Sequence, residues 1–320
     1  MALPDVLANN LSLPVIASPL FIISTPPLVA AQCRAGIVGS FPALNARPDG
    51  LLDTWIAELT QDLAAYRKAR PAAKIAPFAV NQIIHKSNGR LDKDMATCIR
   101  HRVPLLITSL AVPSDFIDDV HAYGGLIFHD VTTVRHAEKA IAAGVDGLIL
   151  VCAGAGGHAG TASPMALVGE IRRFFDGPLV LGGAIASGPA ILAALALGAD
   201  LAYIGTRFIA TDEANADARY KQMLVDSGSA DIVYSSLFTG VNGNYLKSSI
   251  TAAGLDPDAL PQGEKSALNF GGGSIKAWRD VWGAGQGVGV INGVAPAGEV
   301  VAQLQNEYLA ARQRLALSSS

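Results

Sequence analysis

Residues 147–161 join a short apolar segment to a glycine-rich turn that carries one histidine, His158. The segment from Leu148 to Ala153 is continuously apolar, which is typical of a strand buried on both faces. Three glycines follow between positions 154 and 157, and glycine allows a backbone to bend sharply and to approach a ligand closely. A histidine in a loop is most often a solvent-facing residue, but the surrounding glycines favour a functional site. We therefore predict that His158 faces a ligand at the end of a buried strand.

Strand-length apolar segments alternate with helix-length segments over most of the chain, and these elements must position the histidine. Strands are predicted over residues 14–20, 36–39, 74–81, 104–108, 125–129, 147–153, 178–182 and 201–205. Helices are predicted over residues 25–35, 51–70, 92–102, 114–123, 133–143, 165–175, 188–197 and 211–226. Because alternating strands and helices form parallel sheets, these units predict an α/β fold, a (β/α)8 TIM barrel. An open doubly wound sheet is the alternative.

The strand–helix alternation ends near residue 226. Residues 227–290 are rich in glycine and proline, which predicts long loops and short helices that cover the mouth of the barrel. An amphipathic helix is predicted over residues 298–315. These patterns divide the chain into a (β/α)8 barrel domain of residues 1–226, a smaller loop-rich region of residues 227–290 that covers the substrate, and a segment of residues 291–320 that packs back on the barrel.

The composition describes a globular protein with a large core and restricts its partners. Of the 320 residues, 50% are hydrophobic and 16% are charged, with a formal net charge of -3. This charge argues against nucleic-acid binding. No apolar run reaches the roughly 18 residues of a membrane-spanning helix, and no basic segment typical of a secretory signal begins the chain. We expect a cytoplasmic enzyme with a small-molecule substrate, and the sequence does not decide between a monomer and a homodimer.

The cysteines and the short motifs give no indication of a metal site. Cys33, Cys98 and Cys152 are widely spaced, which fits a reducing compartment and does not indicate a metal-binding cluster. The sequence also lacks the HExxH and CxxC patterns of zinc sites and the GxSxG pattern of serine hydrolases. We therefore predict that no metal is bound.

Glycine-containing turns end the last two predicted barrel strands, at Gly182-Gly183 and at Gly205-Thr206. Active sites of (β/α)8 barrels lie at the C-terminal ends of the strands, and phosphate groups are commonly bound after strands seven and eight. Backbone N–H groups at these turns, together with the Thr206 hydroxyl, can bind a dianion where a helix begins. Two ordinary turns are the alternative, but their occurrence on consecutive strands favours a phosphate site.

Polar side chains also end the third and fifth predicted strands. Asn81 ends the third, and its amide can donate and accept hydrogen bonds at the edge of a planar ring, although it can equally cap the following turn. His129 and Asp130 end the fifth strand and would face the same mouth. Either residue would then steer a ligand, and the equal alternatives are that the two pair with each other or cap the following turn.

Five segments of the chain resemble the nitronate monooxygenase family, formerly called 2-nitropropane dioxygenases. These segments are Pro77-Phe-Ala-Val-Asn81, Gly156-Gly-His-Ala-Gly160, Leu181-Gly-Gly183, Ile204-Gly-Thr-Arg-Phe208 and Ala284-Gly-Gln-Gly-Val288. They span nearly the whole chain. The family consists of FMN-dependent barrels and includes flavin quinone reductases and enoyl-thioester reductases. The resemblance therefore implies FMN as the cofactor.

The resemblance also implies which residues bind that cofactor. The implied cofactor-binding residues are Ala17, Ser18, Asn81, His129, Gly157, Gly182, Gly183, Gly205, Thr206 and Gln286. Among them, Asn81 and Gln286 would contact the flavin ring. Gly183, Gly205 and Thr206 would bind its phosphate. His129 stands where the family commonly has a lysine, and Ala17-Ser-Pro-Leu20 replaces a Gln-x-Pro-Met segment, so the subclass and the substrate stay open.

For the substrate, the resemblance implies one catalytic residue. His158 would bind an anionic nitronate, and it would remove the α-proton of a neutral nitroalkane as a general base. Tyr245, in the Asn242-Gly-Asn-Tyr-Leu246 loop, is a predicted substrate contact, with a packing role as the alternative.

The resulting function is the FMN-dependent oxidation of alkyl nitronates by O2 to carbonyl compounds and nitrite. An NAD(P)H-dependent quinone or enoyl reductase on the same FMN barrel is the first alternative. A sugar-phosphate isomerase or aldolase, which would use the phosphate site without a flavin, is a more distant one.

Overall fold

The computed structural model describes residues 3–112, 114–261 and 278–317. In chain order, the strands of these residues are β1 (Val15–Ala17), β2 (Gly39–Pro42), β3 (Phe78–Ile84), β4 (Leu105–Leu110), β5 (Leu126–Val131), β6 (Gly147–Val151), β7 (Gly157–His158), β8 (Leu179–Gly182), β9 (Leu201–Ile204), β10 (Ile232–Ser235) and β11 (Gly243–Leu246). Eight of them form a parallel sheet in the order β1-β9-β8-β6-β5-β4-β3-β2. A parallel bridge between Ile16 and Val38 joins its two edges. The structure therefore confirms the (β/α)8 barrel.

Helices connect the barrel strands. In the described residues they are α1 (Asp5–Ala8), α2 (Pro26–Arg34), α3 (Leu51–Ala69), α4 (Leu91–Arg100), α5 (Ile117–His121), α6 (Val134–Ala143), α7 (Pro164–Ile171), α8 (Gly188–Leu197), α9 (Thr206–Ile209), α10 (Ala218–Val225), α11 (Lys247–Ala252) and α12 (Ala297–Leu317). The single helix predicted over residues 211–226 is wrong. Residues 211–217 are not helical, and the helix of this range, α10, begins only at Ala218, where the Asp217 carboxylate accepts from the Arg219 N–H at 2.8 Å.

Side chains of the barrel strands alternate between the interior and the surrounding helices. One buried cluster fills the interior and includes Ile16, Val38, Ala79, Ile107, Phe128, Ile149, Val180 and Leu201. Neighbouring positions such as Val80, Leu106 and Ile127 belong to the cluster that packs against the helices. Because strand side chains alternate with every residue, this parity decides which residues reach the mouth of the barrel.

The region after the barrel contains strands as well as loops. β10 pairs antiparallel with β11, and β11 pairs antiparallel with β7, so that Gly243 lies opposite His158. The prediction of only loops and short helices over residues 227–290 is therefore wrong for β10 and β11, and residues 262–277 lie outside the described residues. The β-branched and aromatic residues of Ile232-Val-Tyr234 are the sequence signal for β10.

The C-terminal helix α12, predicted over residues 298–315, packs on the start of α8. The Gly188 N–H donates to Oε2 of Glu307 at 2.8 Å. A Cβ atom at Gly188 would lie 2.1 Å from the backbone nitrogen of Tyr308, so only glycine permits this close helix crossing. In the described part of the chain, no helix combines the length and the apolarity that a membrane span requires.

Candidate active site

A cavity of ≈ 580 Å³ opens at the C-terminal ends of the barrel strands. Its lining includes the predicted site residues Ser18, Asn81, Gly157, His158, Gly182, Gly183, Gly205 and Thr206. The predicted site residues that do not line it are Ala17, His129, Tyr245 and Gln286. The structure therefore brings most of the predicted residues to one cavity, at the barrel end where active sites of this fold lie.

The floor of the cavity is made by the last inward-facing residues of the strands. Five polar side chains contribute to it, namely Ser18, Asn81, Ser109, Asp130 and Tyr203. Each follows a residue of the interior cluster by two positions, as strand parity requires. The floor is therefore polar, although the barrel interior beneath it is apolar.

A directed chain of hydrogen bonds crosses this floor from β3 to β5. Nδ2 of Asn81 donates to the Ile107 carbonyl oxygen at 3.2 Å and to Oγ of Ser109 at 2.9 Å. Ser109 then donates its hydroxyl proton to Oδ2 of Asp130 at 2.6 Å. Burial raises the pKa of Asp130 to about 7, and the Ser109 hydrogen bond opposes this rise. Asp130 therefore titrates near neutral pH at the cavity floor.

Ala17 and His129 do not reach the cavity, because both have the opposite strand parity. The Ala17 side chain belongs to the buried cluster outside the barrel interior. His129 is also buried on the outer side, with Nδ1 2.8 Å from Oγ1 of Thr108. The following residues, Ser18 and Asp130, line the cavity in their place. The expectation that the His129 side chain faces the mouth is therefore not met.

The turns after β8 and β9 line the cavity and contain backbone N–H groups without an acceptor among the described residues. Gly183 has φ +144°, and a Cβ atom there would lie 2.7 Å from the Ala153 carbonyl oxygen, so this turn requires glycine. Among the described residues, no acceptor binds the N–H groups of Gly183, Gly205 or Thr206. Three donors on one wall fit an anion such as phosphate. Because α9 has only four residues, the individual N–H groups would bind the anion, rather than a helix dipole.

The segment of residues 282–288, here called the C-terminal strap, passes over these turns. The Gly285 N–H donates to Oγ1 of Thr206 at 2.9 Å, which leaves the Thr206 hydroxyl proton available for another acceptor. The Gln286 N–H donates to the Gly154 carbonyl oxygen at 2.9 Å. The strap therefore covers the side of the cavity formed by the turns after β8 and β9.

The glycines of the Gly-Gln-Gly segment are explained by this close passage. A Cβ atom at Gly285 would lie 2.7 Å from the Gly154 carbonyl oxygen, and one at Gly287 would lie 2.7 Å from the Ala184 carbonyl oxygen. Gln286 itself is exposed, and its side chain does not line the cavity. The glycines of the segment thus have a backbone packing role, and Oε1 of Gln286 lies 3.1 Å from the position that a Cβ atom would take at the cavity residue Gly154.

His158 lies on β7, in the wall of the cavity. Its Nε2 is 2.9 Å from Oγ1 of Thr239, and the Thr239 hydroxyl donates to the Val241 carbonyl oxygen at 3.0 Å. Because that hydroxyl has one proton, Nε2–H of His158 donates to Thr239, and Nδ1 is left as an acceptor. Burial lowers the pKa of His158 to about 4, so the imidazole is neutral at pH 7.

An aromatic cluster supports His158. The Trp278 ring meets the imidazole edge to face, with ring centroids 5.6 Å apart. Tyr245 is fully buried and contacts Trp278 at 5.4 Å and Phe238 at 4.9 Å between centroids. Gly157 has φ +68°, and a Cβ atom there would lie 3.2 Å from Trp278. Tyr245 therefore packs against a cavity residue and does not line the cavity itself.

Sequence reasoning misses three of the polar residues at this site. Ser109 and Tyr203 carry a usable signal, because each falls at the end of a strand at the inward parity. Thr239 carries none, because it lies 81 residues from His158 in a region without a recognisable pattern.

Comparison with known proteins agrees with this geometry. The profile of the family described as "Nitronate monooxygenase" matches residues 6–307. The chain belongs to this family. The nitronate monooxygenase of Paraburkholderia phytofirmans is 27% identical, over 92% of this chain and 92% of that protein. The chain is therefore an oxidoreductase.

Solved structures resemble the whole chain. The nitroalkane oxidase from Streptomyces ansochromogenes has a TM-score of 0.73 and 26% identity, covering 97% of this chain and 99% of that one. FabK from Thermotoga maritima has a TM-score of 0.76 and 23% identity, covering 98% and 97% respectively, and this likeness shows the shared fold.

Nitronate monooxygenases are flavin-dependent, and the described residues fit such a cofactor. The cavity volume of ≈ 580 Å³ lies within the range of about 300–1,000 Å³ that is usual for small-molecule sites. Unpaired donors for a phosphate lie on one wall, and polar groups for a ring edge lie on the floor. The site therefore offers both kinds of contact that a phosphorylated flavin needs.

Proposed function

We propose that this chain is an FMN-dependent nitronate monooxygenase that converts alkyl nitronates and O2 to carbonyl compounds and nitrite. The observation that carries the proposal is the position of His158. Its neutral imidazole lines the same cavity as the three unpaired N–H donors, so a substrate-binding group and a phosphate site share one enclosed space. This combination fits a flavin whose ring lies next to the histidine.

In this proposal the cavity residues divide into two groups around FMN. Gly183, Gly205 and Thr206 bind the phosphate through their N–H groups and the Thr206 hydroxyl. Asn81 contacts the ring edge from the floor, and Ser18, Gly157 and Gly182 are further contacts. When bound, FMN would supply the redox chemistry of the reaction.

His158 acts on the substrate. Its Nδ1 is unprotonated and has no partner among the described residues, so it can remove the α-proton of a neutral nitroalkane. A bound nitronate anion raises the pKa of His158 back toward its ordinary value, because a nearby negative charge favours the protonated ring. The same residue therefore serves as a base for a nitroalkane and as a hydrogen-bond donor for a nitronate.

The walls of the cavity indicate an alkyl substrate. Apolar side chains surround its polar floor, and these are Leu20, Phe21, Ile23, Leu44, Ile83, Leu110 and Trp278. Such walls stabilise a ligand by burial of its apolar surface. They therefore favour a nitronate with an aliphatic chain.

The experiment that tests the proposal is an anaerobic titration of the FMN-reconstituted protein, followed by visible absorbance. Propionate 3-nitronate and NADH are added to separate samples. Bleaching by the nitronate and not by NADH is expected, with nitrite released once O2 is admitted. Bleaching by NADH alone would reassign the chain to the quinone or enoyl reductases, and failure to bind FMN would exclude both activities.

A further inference from the structure

Arg47 lies at the rim of the cavity, in the loop between β2 and α3, and its side chain is exposed. Its Nε donates to the Leu44 carbonyl oxygen at 3.0 Å, and its guanidinium carbon lies 5.7 Å from the centroid of the Phe21 ring. Leu44 and Phe21 also line the cavity. The guanidinium group is therefore held against the cavity wall, and its Nη1 and Nη2 have no hydrogen-bond partner among the described residues.

A second arginine fixes the loop that carries Arg47. Nη1 of Arg90 donates to the carbonyl oxygen of Ala46 at 2.9 Å, and Nη2 of Arg90 lies 3.1 Å from Oδ1 of the buried Asp94. Arg90 thus joins the residue before Arg47 to α4. Because the backbone and Nε of Arg47 are both fixed, the two free nitrogens of its guanidinium group are presented at a defined place on the rim.

Arg47 is the permanent cation of the cavity lining, within the part of the chain that the structure describes. The acidic residue of this lining is Asp130, which lies at the floor and accepts from Ser109. The other titratable lining residues are histidines and tyrosines. An anionic group at the rim is therefore attracted by Arg47 without repulsion from a described carboxylate beside it. Since the chain has a net charge of -3, this attraction is local and does not come from the field of the whole protein.

Arg47 and His158 lie on opposite sides of the barrel mouth. Arg47 follows β2, and His158 follows β6. Three strands (β3, β4 and β5) separate β2 from β6 in one direction around the barrel. Three others (β1, β9 and β8) separate them in the other direction, because the bridge between Ile16 and Val38 joins the sheet edges. A molecule that contacts both residues must therefore span the mouth.

We propose that the substrate carries a carboxylate at the end of its aliphatic chain opposite to the nitronate group, and that Arg47 binds this carboxylate. The inference rests on the function proposed above, and it narrows the substrate class to the nitronates of ω-nitro carboxylic acids. Two adjacent N–H groups of a planar guanidinium match the two oxygens of a carboxylate, and such charge-assisted hydrogen bonds are stronger than neutral ones. The apolar side chains of Phe21 and Leu44, which lie against Arg47, then contact methylene groups of the substrate.

The test compares the nitronate of 4-nitrobutanoate with the nitronate of its methyl ester, which has the same chain without the carboxylate charge. Nitrite release by the FMN-loaded protein in the presence of O2 gives kcat and KM for each. The KM of the acid is expected to be about tenfold below that of the ester, as for one charge-assisted hydrogen bond, with similar kcat. In Arg47→Gln this difference is expected to disappear, because the KM of the acid alone rises. Arg47→Lys keeps the charge but loses the paired N–H groups, and an intermediate KM is expected.

Arg173→Gln is the matched control, because Arg173 is exposed and does not line the cavity. This variant removes the same charge and is expected to keep the preference for the acid. FMN affinity is expected to be equal in all of these variants. Weaker FMN binding in Arg47→Gln, with equal losses for acid and ester, would place Arg47 on the cofactor and overturn the inference. Nitrite release from acid and ester with equal KM in the unsubstituted protein would also overturn it, and would leave the proposed function intact.

A binding measurement without turnover separates the inference from the proposed function. Glutarate has the chain length of 4-nitrobutanoate, with a carboxylate in place of the nitronate, and its binding to the FMN-loaded protein is followed by the change in flavin absorbance. Its dissociation constant is expected to rise about tenfold in Arg47→Gln and to stay unchanged in Arg173→Gln. This result without nitrite release from any nitronate would support the carboxylate site and exclude the proposed reaction. Equal glutarate affinity in Arg47→Gln and the unsubstituted protein would overturn the carboxylate site.

Discussion

Nε2 of His158 lies 2.9 Å from Oγ1 of Thr239, so a residue of the region that follows the barrel holds the imidazole of the cavity wall. The antiparallel pairing of β7 with β11 places His158 opposite Gly243 and supports the same contact from the backbone. The covering region therefore does more than exclude water. It fixes the proton on Nε2 and directs the unprotonated Nδ1 of the ring.

The first prediction concerns Thr239→Val, which removes this hydroxyl at nearly constant volume. Loss of one neutral hydrogen bond is worth about 0.5–1.5 kcal/mol, so kcat/KM for a nitronate is expected to fall roughly 3–10-fold. Thr239→Ser restores the hydroxyl and is expected to restore the rate. FMN affinity, measured by fluorescence, is expected to be equal in both variants. A rate that stays low in Thr239→Ser would show that the methyl group, rather than the hydroxyl, matters.

The second prediction separates the two roles of His158. In His158→Asn, the amide can still donate to an anionic nitronate but cannot remove a proton. The rate with a neutral nitroalkane is therefore expected to fall by about 10²–10⁴-fold, with a much smaller loss for the corresponding nitronate. Steady-state nitrite release with the two substrate forms measures this ratio. Equal losses for both forms would indicate binding alone, without a base.

Strand ends could be read from the sequence, but side-chain direction could not. The fifth strand was expected to end at His129, and it continues to Val131. Successive side chains of a strand point to opposite faces. An error of one position therefore places a side chain at the mouth of the barrel when it packs against the surrounding helices. The resemblance implies both Ala17 and Ser18 as cofactor contacts, and the sequence places both His129 and Asp130 at the mouth, but of each pair only the second residue lines the cavity.

Contacts between residues far apart in the sequence could also not be predicted from it. The glycine turns after β8 and β9, which line the cavity, could be located from the sequence because their composition is local. The hydrogen bond from Gly285 to Thr206 joins residues 79 positions apart, and no local pattern encodes it. The Gly-Gln-Gly segment could be recognised as unusual from the sequence. Its glycines are required because the segment passes close to other backbone atoms, and only the fold shows this contact.

The third prediction tests the placement of His129. Because its side chain lies outside the cavity, His129→Gln is expected to leave the FMN dissociation constant unchanged. Burial lowers the pKa of His129 to about 4, below the value of 6.5 for an unfolded histidine, so the unfolded state binds more protons between these values. The folded protein therefore loses stability as the pH falls from 6.5 toward 4, and His129 contributes roughly 3 kcal/mol of this loss.

Urea denaturation at pH 7 and pH 4.5 measures that contribution. His129→Gln is expected to lose less stability on acidification than the unsubstituted protein, because it lacks this titrating group. Weaker FMN binding in the variant at pH 7, without any change in unfolding, would instead place His129 in the site.

The fourth prediction concerns Gly183→Ala. The added Cβ atom would lie 2.7 Å from the Ala153 carbonyl oxygen at φ +144°, so the turn must shift and its N–H group must move. FMN affinity is expected to fall at least about tenfold, with a stability loss of about 1–3 kcal/mol. Gly50→Ala is the matched control, because Gly50 has φ +87° but nothing within 4 Å of its Cβ position. It is expected to lose stability without any loss of FMN affinity, and parallel FMN losses in both variants would refute the phosphate site.

The fifth prediction tests whether the C-terminal strap retains the cofactor. In Gly285→Ala, the Cβ atom would lie 2.7 Å from the Gly154 carbonyl oxygen and 3.0 Å from the Gly156 nitrogen. The strap must therefore move outward, which breaks the hydrogen bond from Gly285 to Thr206 and exposes the phosphate side of the cavity. Faster FMN release is expected, by roughly tenfold if one hydrogen bond to a charged site is lost.

Gly289→Ala provides the control for this strap variant, since the nearest atom to its Cβ position is the Gly228 Cα at 3.6 Å, an ordinary contact. FMN release measured by dilution in stopped flow is expected to be unchanged in Gly289→Ala. If Gly285→Ala lowers the melting temperature but releases FMN at the unsubstituted rate, the strap stabilises the barrel without retaining the cofactor. Faster release with unchanged association would show that the strap stabilises bound FMN, because a purely steric barrier would slow association and dissociation alike.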